Sequence, residues 1–115
     1  MPIENLIVFQ KTYDFFIWQK AVIRHLAKVH KYSIGIQLEN ETLNLLKQIV
    51  RANLSRNNKN EEIIECLAIL EIIKILIRAG HELNREGGIS TAHYQVASEK
   101  LVEMGKLLGA WWKKF

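Results

Sequence analysis

The chain has 115 residues, of which 49% are hydrophobic and 24% are charged, and its formal net charge is +4. This composition predicts one globular domain and excludes a disordered or low-complexity chain. The single cysteine, Cys66, excludes an internal disulfide framework and a cysteine-ligated zinc site and is typical of a reducing compartment. The first ten residues contain no secretion signal and no segment is apolar enough to span a membrane, so we expect a soluble cytoplasmic domain.

Four helices are predicted, because the long periodic segments contain almost no glycine or proline. Ser33 and Ser90 are the predicted N-caps of the second and fourth helices, and Asn58 with Glu61 resembles a capping pair for the third. Short connections between helices of this length predict an all-α, antiparallel four-helix bundle that forms a single domain over residues 1–115. The predicted helices cover residues 4–29, 34–54, 59–82 and 91–113.

The first and third helices carry more apolar surface than one small bundle can bury. The third, with the run LAILEIIKILI, is apolar nearly all round, which favours burial against a second subunit. The first helix has two apolar rows where one would be enough for packing. One row contains Leu6, Phe9, Tyr13 and Phe16, and the other contains Phe15, Trp18, Val22, Leu26 and Val29.

The fourth helix contains two glycines four residues apart, Gly105 and Gly109, which together with Ala97 predict a low ridge for close helix packing. Trp111, near the end of the same helix, is a candidate core or interface residue, as is Trp18 on the first helix. Gly105, Gly109 and the two tryptophans are therefore assigned to packing or to subunit contacts in a homo-oligomer.

Charge is distributed unevenly along the chain. Residues 15–60 carry eight bases and two acids, a net charge of +6, whereas residues 61–103 carry four bases and eight acids, a net charge of −4. Basic rows of this kind neutralise phosphates, although a solvated face would have the same pattern. Exposed aromatic residues among the bases are not evident, which favours backbone binding over base recognition. The predicted rows are Lys20, Arg24, Lys28 and Lys31 on the first helix, within about 80° of one another on an ideal helix, and Lys47 and Arg51 on the second.

Other chemistry has little support in the sequence. The four histidines, at positions 25, 30, 81 and 93, do not have the spacing of a metal-ligand set, so no metal or other cofactor is expected. Cys66 lies among apolar residues, which favours buried packing over nucleophilic chemistry. Arg24 and His30 resemble the short Arg-x(4–6)-His pair of helical ribonucleases, and this leaves a small ribonuclease as one alternative.

The runs LEIIKILIRAGHEL (70–83) and SEKLVEMGKLLGAWWK (98–113), in the C-terminal half of the sequence, resemble the accessory variability determinant proteins of diversity-generating retroelements. These belong to a wider group of four-helix-bundle proteins that includes those encoded in ribosomal-RNA intervening sequences. The resemblance covers residues 13–113, with looser support from Tyr13, from the SIGIQL turn around Gly35 and from LNLLKQIVRA. The residues that carry it are Glu71, Lys74, Arg78, His81 and Leu83 on the third helix and Leu101, Glu103, Gly105, Leu108, Gly109 and Trp111 on the fourth.

The resemblance implies a non-enzymatic protein that forms a homopentameric, positively charged ring. It also implies binding to nucleic acid and to the element's reverse transcriptase, in support of error-prone copying of a template RNA into cDNA and of retrohoming. Lys74 and Arg78 match the family pattern, either as nucleic-acid contacts or as partners of Glu71. The chain ends at Phe115 without a basic tail, so we expect the binding surface on the helices. A related four-helix protein that binds RNA or a protein partner without a reverse transcriptase is the other alternative.

Overall fold

The computed structural model describes residues 2–3 and 6–115, and these residues contain helices and no strand. Four long helices are joined by short segments, one of which includes a single turn of wider π-helix and another a 3₁₀ turn. The helices are α1 (Ile7–Arg24), α2 (Lys28–His30) with the π turn Lys31–Gly35, α3 (Ile36–Leu54), α4 (Lys59–Glu82) and α5 (Thr91–Trp112), with the 3₁₀ turn at Asn84–Glu86.

The four long helices form one bundle of about 46 × 21 × 21 Å. Going round the bundle, α1 packs against α3, α3 against α4, α4 against α5, and α5 against α1. The prediction of an all-α four-helix bundle in one domain is confirmed. None of these helices is both long and apolar enough to cross a membrane within the described part of the chain.

The core lies between the inner faces of the four helices, where Phe15, Leu45, Ile73 and Leu108 are fully buried. Burial of each such side chain stabilises the fold by about 1.5–3 kcal/mol relative to exposure. Cys66 is also fully buried, as the sequence predicts. Its burial, followed by the negative charge of Glu62 and then of Glu65, raises the pKa of the thiol to about 12.

The first helix ends at Arg24, five residues earlier than predicted, and its predicted start at residue 4 lies outside the described residues. Ala27 has extended backbone (φ −59°, ψ 150°), and its N–H donates to the carbonyl oxygen of Gly87 at 2.8 Å. This hydrogen bond from a distant loop replaces the intrahelical one, so the helix breaks without an unsatisfied donor. Val29, predicted in an apolar row of the first helix, lies beyond the break and is 70% exposed.

The second helical segment begins at Lys28, and Ser33 is not its N-cap. The Ser33 hydroxyl donates back to the carbonyl oxygen of Val29 (2.8 Å), one turn earlier, inside a segment that is already helical. The predicted turn around Gly35 is likewise wrong, because Gly35 is the last residue of the π turn that leads directly into α3. A Cβ on Gly35 would lie 3.0 Å from Ile23 Cγ2, so glycine allows α1 to approach this segment closely.

The caps of the last two helices differ in how they match the sequence pattern. The Ser90 hydroxyl accepts a hydrogen bond from the His93 N–H (3.1 Å), so this predicted N-cap is confirmed. Asn58 occupies the N-cap position of α4, but its side chain makes no capping bond. Instead, the backbone N–H of Asn58 donates to Ser55 Oγ (3.2 Å). This N–H is therefore satisfied by the connecting turn and not by the predicted capping pair with Glu61.

Candidate nucleic-acid interface

The break after Arg24 divides the predicted basic row between two elements. Lys20 and Arg24 lie on α1, whereas Lys28 and Lys31 lie on α2 and the π turn. The continuous row on one ideal helix is therefore wrong. We call the segment from His25 to Gly35 the corner, because it connects the end of α1 to the start of α3.

Three of the four bases nevertheless come together at the corner. A groove of about 420 Å³ lies between α1, the π turn and the first turns of α3, and we call it the corner groove. Lys28 is exposed but is not among the residues that line it. The polar and aromatic residues that line the corner groove are Lys20, Arg24, Lys31, Tyr32, Glu39 and Asn40.

Lys20 differs from the other three bases of the predicted row because it has partners. Its Nζ lies 3.3 Å from Glu39 Oε2 and 4.8 Å from the centre of the Phe16 ring. Arg24, Lys28 and Lys31 have no ion-pair partner within the described part of the chain, and Arg24 and Lys28 are exposed. Their charges are therefore available to a phosphate, whereas that of Lys20 is partly neutralised.

Lys47 and Arg51 lie one turn apart on α3, exposed, as the sequence predicts for a second row. Neither has an ion-pair partner among the residues that the structure describes. This row lies on α3, which packs against both α1 and α4.

Lys74 and Arg78 are in a different situation on α4. Lys74 Nζ lies 3.3 Å from Glu71 Oε1, and Arg78 Nε lies 3.5 Å from Glu82 Oε1. Both line a smaller groove of about 270 Å³ between α4 and α5. Exposed pairs of this kind contribute about 0–1 kcal/mol to stability, but each acid cancels most of the local positive potential.

The two oppositely charged parts of the sequence form two sides of the bundle. The basic side comprises α1 from Phe15, the corner and α3, and the acidic side comprises α4 and α5. Residues 15–54 of the basic side carry six bases and two acids, a net charge of +4, whereas α4 and α5 together carry five bases and seven acids, a net charge of −2. The two groups of helices lie on opposite halves of the bundle, because α1 packs against α3 and α4 packs against α5. A polyanion is therefore attracted to one side of the protomer and repelled by the other.

Tyr32 is the residue of this site that the sequence analysis missed. Its side chain is 64% exposed and lines the corner groove beside Lys31 and Arg24, so the statement that no exposed aromatic lies among the bases is wrong. The helical periodicity hid it, because the π turn changes the register of the side chains between α2 and α3. The sequence signal was the tyrosine next to Lys31 in an acid-free interval.

The two tryptophans assigned to packing do pack within the protomer. Trp111 is 9% exposed and belongs to the hydrophobic core. Trp18 is partly buried, with its ring 5.9 Å from Phe15 and 6.1 Å from His93 between centres. Whether either side chain also contacts a second subunit stays a prediction.

The glycine ridge on α5 does not bring two helices of the protomer together along its length. A Cβ on Gly105 would make ordinary contact with Leu70 Cδ2 at 3.4 Å, and a Cβ on Gly109 would meet no atom within 4 Å. Ala97 is fully buried, whereas both glycines are only half-buried. Within the protomer, neither glycine is required for close packing, and a role in subunit contact remains a prediction.

The residues considered for catalysis lie in different surroundings. Arg24 lines the corner groove, whereas His30 points its Nε2–H at the carbonyl oxygen of Glu86 (3.1 Å) and is not among the lining residues. His30 thus ties the corner to the loop before α5. The buried Cys66 thiol, with its raised pKa, carries no thiolate near neutral pH. Within the described ranges, no group of three or more His, Cys, Asp or Glu side chains could hold a metal ion.

The described residues thus form a four-helix bundle in which five bases of one side, Arg24, Lys28, Lys31, Lys47 and Arg51, have no described acid partner. Residues 6–115 match the bAvd-like family, and the chain belongs to this family. The family consists of non-catalytic accessory proteins, and membership implies an association with a retroelement reverse transcriptase. Comparisons with curated proteins and with solved structures give no match.

Proposed function

We propose that this protein is the accessory subunit of a diversity-generating retroelement, binding nucleic acid and the element's reverse transcriptase. The observation that carries the proposal is the family match over residues 6–115 in a bundle whose basic side carries five bases without a described acid partner. Its role is to hold template RNA or cDNA near the polymerase during mutagenic copying. It performs no bond-forming step itself, and it acts in the cytoplasm.

The proposed contacts are to phosphates. Arg24, Lys28, Lys31, Lys47 and Arg51 supply charges that no described acid neutralises, and Arg groups can bind a phosphate in a bidentate manner. Contacts to the phosphate backbone carry no sequence information, so binding at this surface is tolerant of sequence. Lys20, Lys74 and Arg78, which are paired with acids, contribute less.

We further propose that the protomers assemble into a homopentameric ring. Support comes from apolar side chains that the protomer leaves on one face of α4: Ile64 (46% exposed), Ile72 (45%) and Ile75 (61%). These three lie within about 80° of one another on the helix, together with Ala68 and Ala79. A contiguous apolar stripe of this kind favours burial against another chain. The number five comes from the resemblance to the accessory variability determinant proteins.

The proposal predicts a reverse-transcriptase gene beside the coding region of this protein, and co-expression with that reverse transcriptase tests it. Both proteins are purified through a tag on the reverse transcriptase, and the retained nucleic acid is removed with nuclease in a parallel sample. The proposal predicts a complex of fixed stoichiometry that survives nuclease treatment and binds the template RNA. Absence of any complex, together with absence of nucleic-acid binding by the purified protein, would contradict it.

A further inference from the structure

Tyr32 is an exposed aromatic side chain without a structural role of its own. It is 64% exposed and has no ring contact or hydrogen bond within the described part of the chain. It nevertheless stands at the corner groove, where Ile23 and Ile36 supply an apolar floor. The volume of about 420 Å³ lies within the range of about 300–1,000 Å³ that is usual for small-molecule sites.

The charges around this aromatic side chain are arranged unequally. Lys20 and Glu39, on one wall, are paired at 3.3 Å and together carry no net charge. Arg24 and Lys31 also line the groove and have no described ion-pair partner. Arg24 and Lys31 are therefore the residues of the groove that can bind an anion. Lys31 precedes Tyr32 in the sequence, and Arg24 lines the same groove as Tyr32.

We propose that the corner groove holds one unpaired nucleotide, with its phosphate on Arg24 and Lys31 and its base stacked on the Tyr32 ring. This inference rests on the proposed function and adds to it the form of nucleic acid that is bound: a single strand. In a duplex, the faces of the bases are covered by their neighbours, so only an unpaired base can stack on a tyrosine. The Asn40 amide, on the same groove, offers both a donor and an acceptor to a base edge.

Stacking on a single tyrosine accepts every base, since each base has a π face. The site therefore selects single-stranded over double-stranded nucleic acid while remaining tolerant of sequence. Repetition of the site on each protomer of an oligomer would add the contributions of successive nucleotides by avidity.

The test separates the base from the phosphate. Fluorescence anisotropy measures binding of the purified protein to labelled dodecamers of oligo-dT and oligo-U, to an abasic oligonucleotide with the same phosphates, and to a duplex of equal length. Three variants are compared with the parent: Tyr32→Ala, Tyr32→Phe and Tyr13→Ala. Tyr13 is a matched control, because it is 47% exposed, lies on α1 and is not part of the corner groove.

The parent is expected to bind the dodecamers about tenfold more tightly than the abasic strand and the duplex. Tyr32→Ala should abolish this preference, whereas Tyr32→Phe and Tyr13→Ala should retain it. Circular dichroism serves as the folding control for all three variants. Comparison of oligo-dT with oligo-U shows whether DNA and RNA are held alike.

The outcomes distinguish this inference from the proposed function. If the parent binds all four probes equally, and Tyr32→Ala binds like the parent, the stacking site is contradicted while the phosphate-binding role stands. If the parent binds none of the probes, nucleic-acid binding itself fails, and the stacking site fails with it.

Discussion

The basic and acidic sides of the bundle contain exposed cations of the same types but differ in what surrounds them. On α4, Lys74 and Arg78 each have an acid within 3.5 Å on their own helix. At the corner, Arg24 and Lys31 line a common groove with no described acid paired to either. The comparison indicates that the absence of acid partners, rather than the number of bases, defines the candidate nucleic-acid surface.

The remaining exposed residues of the two sides also differ. The acidic side exposes a stripe of isoleucines on α4, whereas the basic side exposes Tyr32 beside its cations as well as aliphatic side chains such as Ile17 and Val29. An apolar stripe suits contact with protein, and an aromatic ring among cations suits contact with nucleic acid. One small bundle thus separates the surface proposed for assembly from the surface proposed for nucleic acid.

The largest expected effect comes from reversing one arginine and one lysine on each side. Arg24→Glu with Lys31→Glu, and Lys74→Glu with Arg78→Glu, change the net charge equally and remove the same residue types. We expect the first pair to lower nucleic-acid affinity by tenfold or more and to reduce the slope of log K against log salt by about two. The second pair should change either quantity little. Binding titrations at several salt concentrations measure both.

Equal losses in the two double variants would show that net charge alone governs binding. That result would remove the distinction between the basic and acidic sides. Circular dichroism of both variants provides the folding control, and all four positions lie at or near the surface.

The next effect concerns assembly through the acidic side. Replacing Ile72 and Ile75 by glutamate should dissociate the oligomer, because two charges would have to be buried in the proposed contact. The helix content should be unchanged, since both side chains are at least 45% exposed in the protomer. Ile17→Glu, on α1 and 51% exposed, is the control from the basic side. Sedimentation equilibrium measures the mass of the oligomer. An unchanged mass in the double variant would show that the stripe faces solvent.

A smaller effect contrasts two glycines, Gly87 in the loop before α5, which contacts the corner, and Gly109 on α5. Gly87 has φ +84°, and a Cβ there would lie 2.5 Å from Ala27 Cβ, so Gly87→Ala should destabilise the fold by about 2 kcal/mol or more. Gly109→Ala should instead raise stability by up to about 1 kcal/mol, because its Cβ meets no atom within 4 Å and alanine favours helix. Thermal unfolding measures both. A destabilised Gly109→Ala variant would indicate that Gly109 is covered by another subunit.

The last effect is a pH dependence that arises in the core, at Cys66 on α4. Burial, with Glu62 and Glu65, raises the pKa of Cys66 from 9.0 to about 12 in the folded chain. Between these values the unfolded chain loses the proton and the folded chain keeps it, so stability falls as pH rises above 9. At pH 10 this costs about 1.4 kcal/mol relative to neutral pH. Denaturant unfolding at pH 8 and pH 10 should therefore show a larger loss for the parent than for Cys66→Val. Equal losses would mean that the thiol titrates normally.

Much of the fold could be predicted from the sequence, because local signals agree with the tertiary structure along α4 and α5. The helix over Lys59–Glu82 has the predicted bounds, and Ser90 caps α5 as its hydroxyl suggests. The end of α1 could not be predicted, because no glycine or proline marks it. It depends on a hydrogen bond from Ala27 to Gly87, sixty residues later in the chain.

The candidate site was predicted in composition but not in geometry. The acid-free interval identifies Arg24 and Lys31, yet a continuous helix would have placed Lys28 in the same row and left Tyr32 out. The corner and its π turn decide which side chains line the groove, and both depend on contacts between distant segments. The ion pairs on α4 could not be predicted either. The sequence suggested Glu71 as the partner of both Lys74 and Arg78, whereas Arg78 pairs with Glu82.

Protection of lysines from acetylation, with and without nucleic acid, tests the central claim most directly. The folded protein is treated with a limiting amount of acetylating reagent at low salt, alone or with a saturating oligonucleotide, and each lysine is quantified by mass spectrometry. Lys28, Lys31 and Lys47 on the basic side are compared with Lys106, which is exposed on α5 and has no described ion-pair partner. We expect the three lysines of the basic side to be protected and Lys106 to react as before. Protection of Lys106 equal to theirs, or protection confined to α4 and α5, would contradict the account.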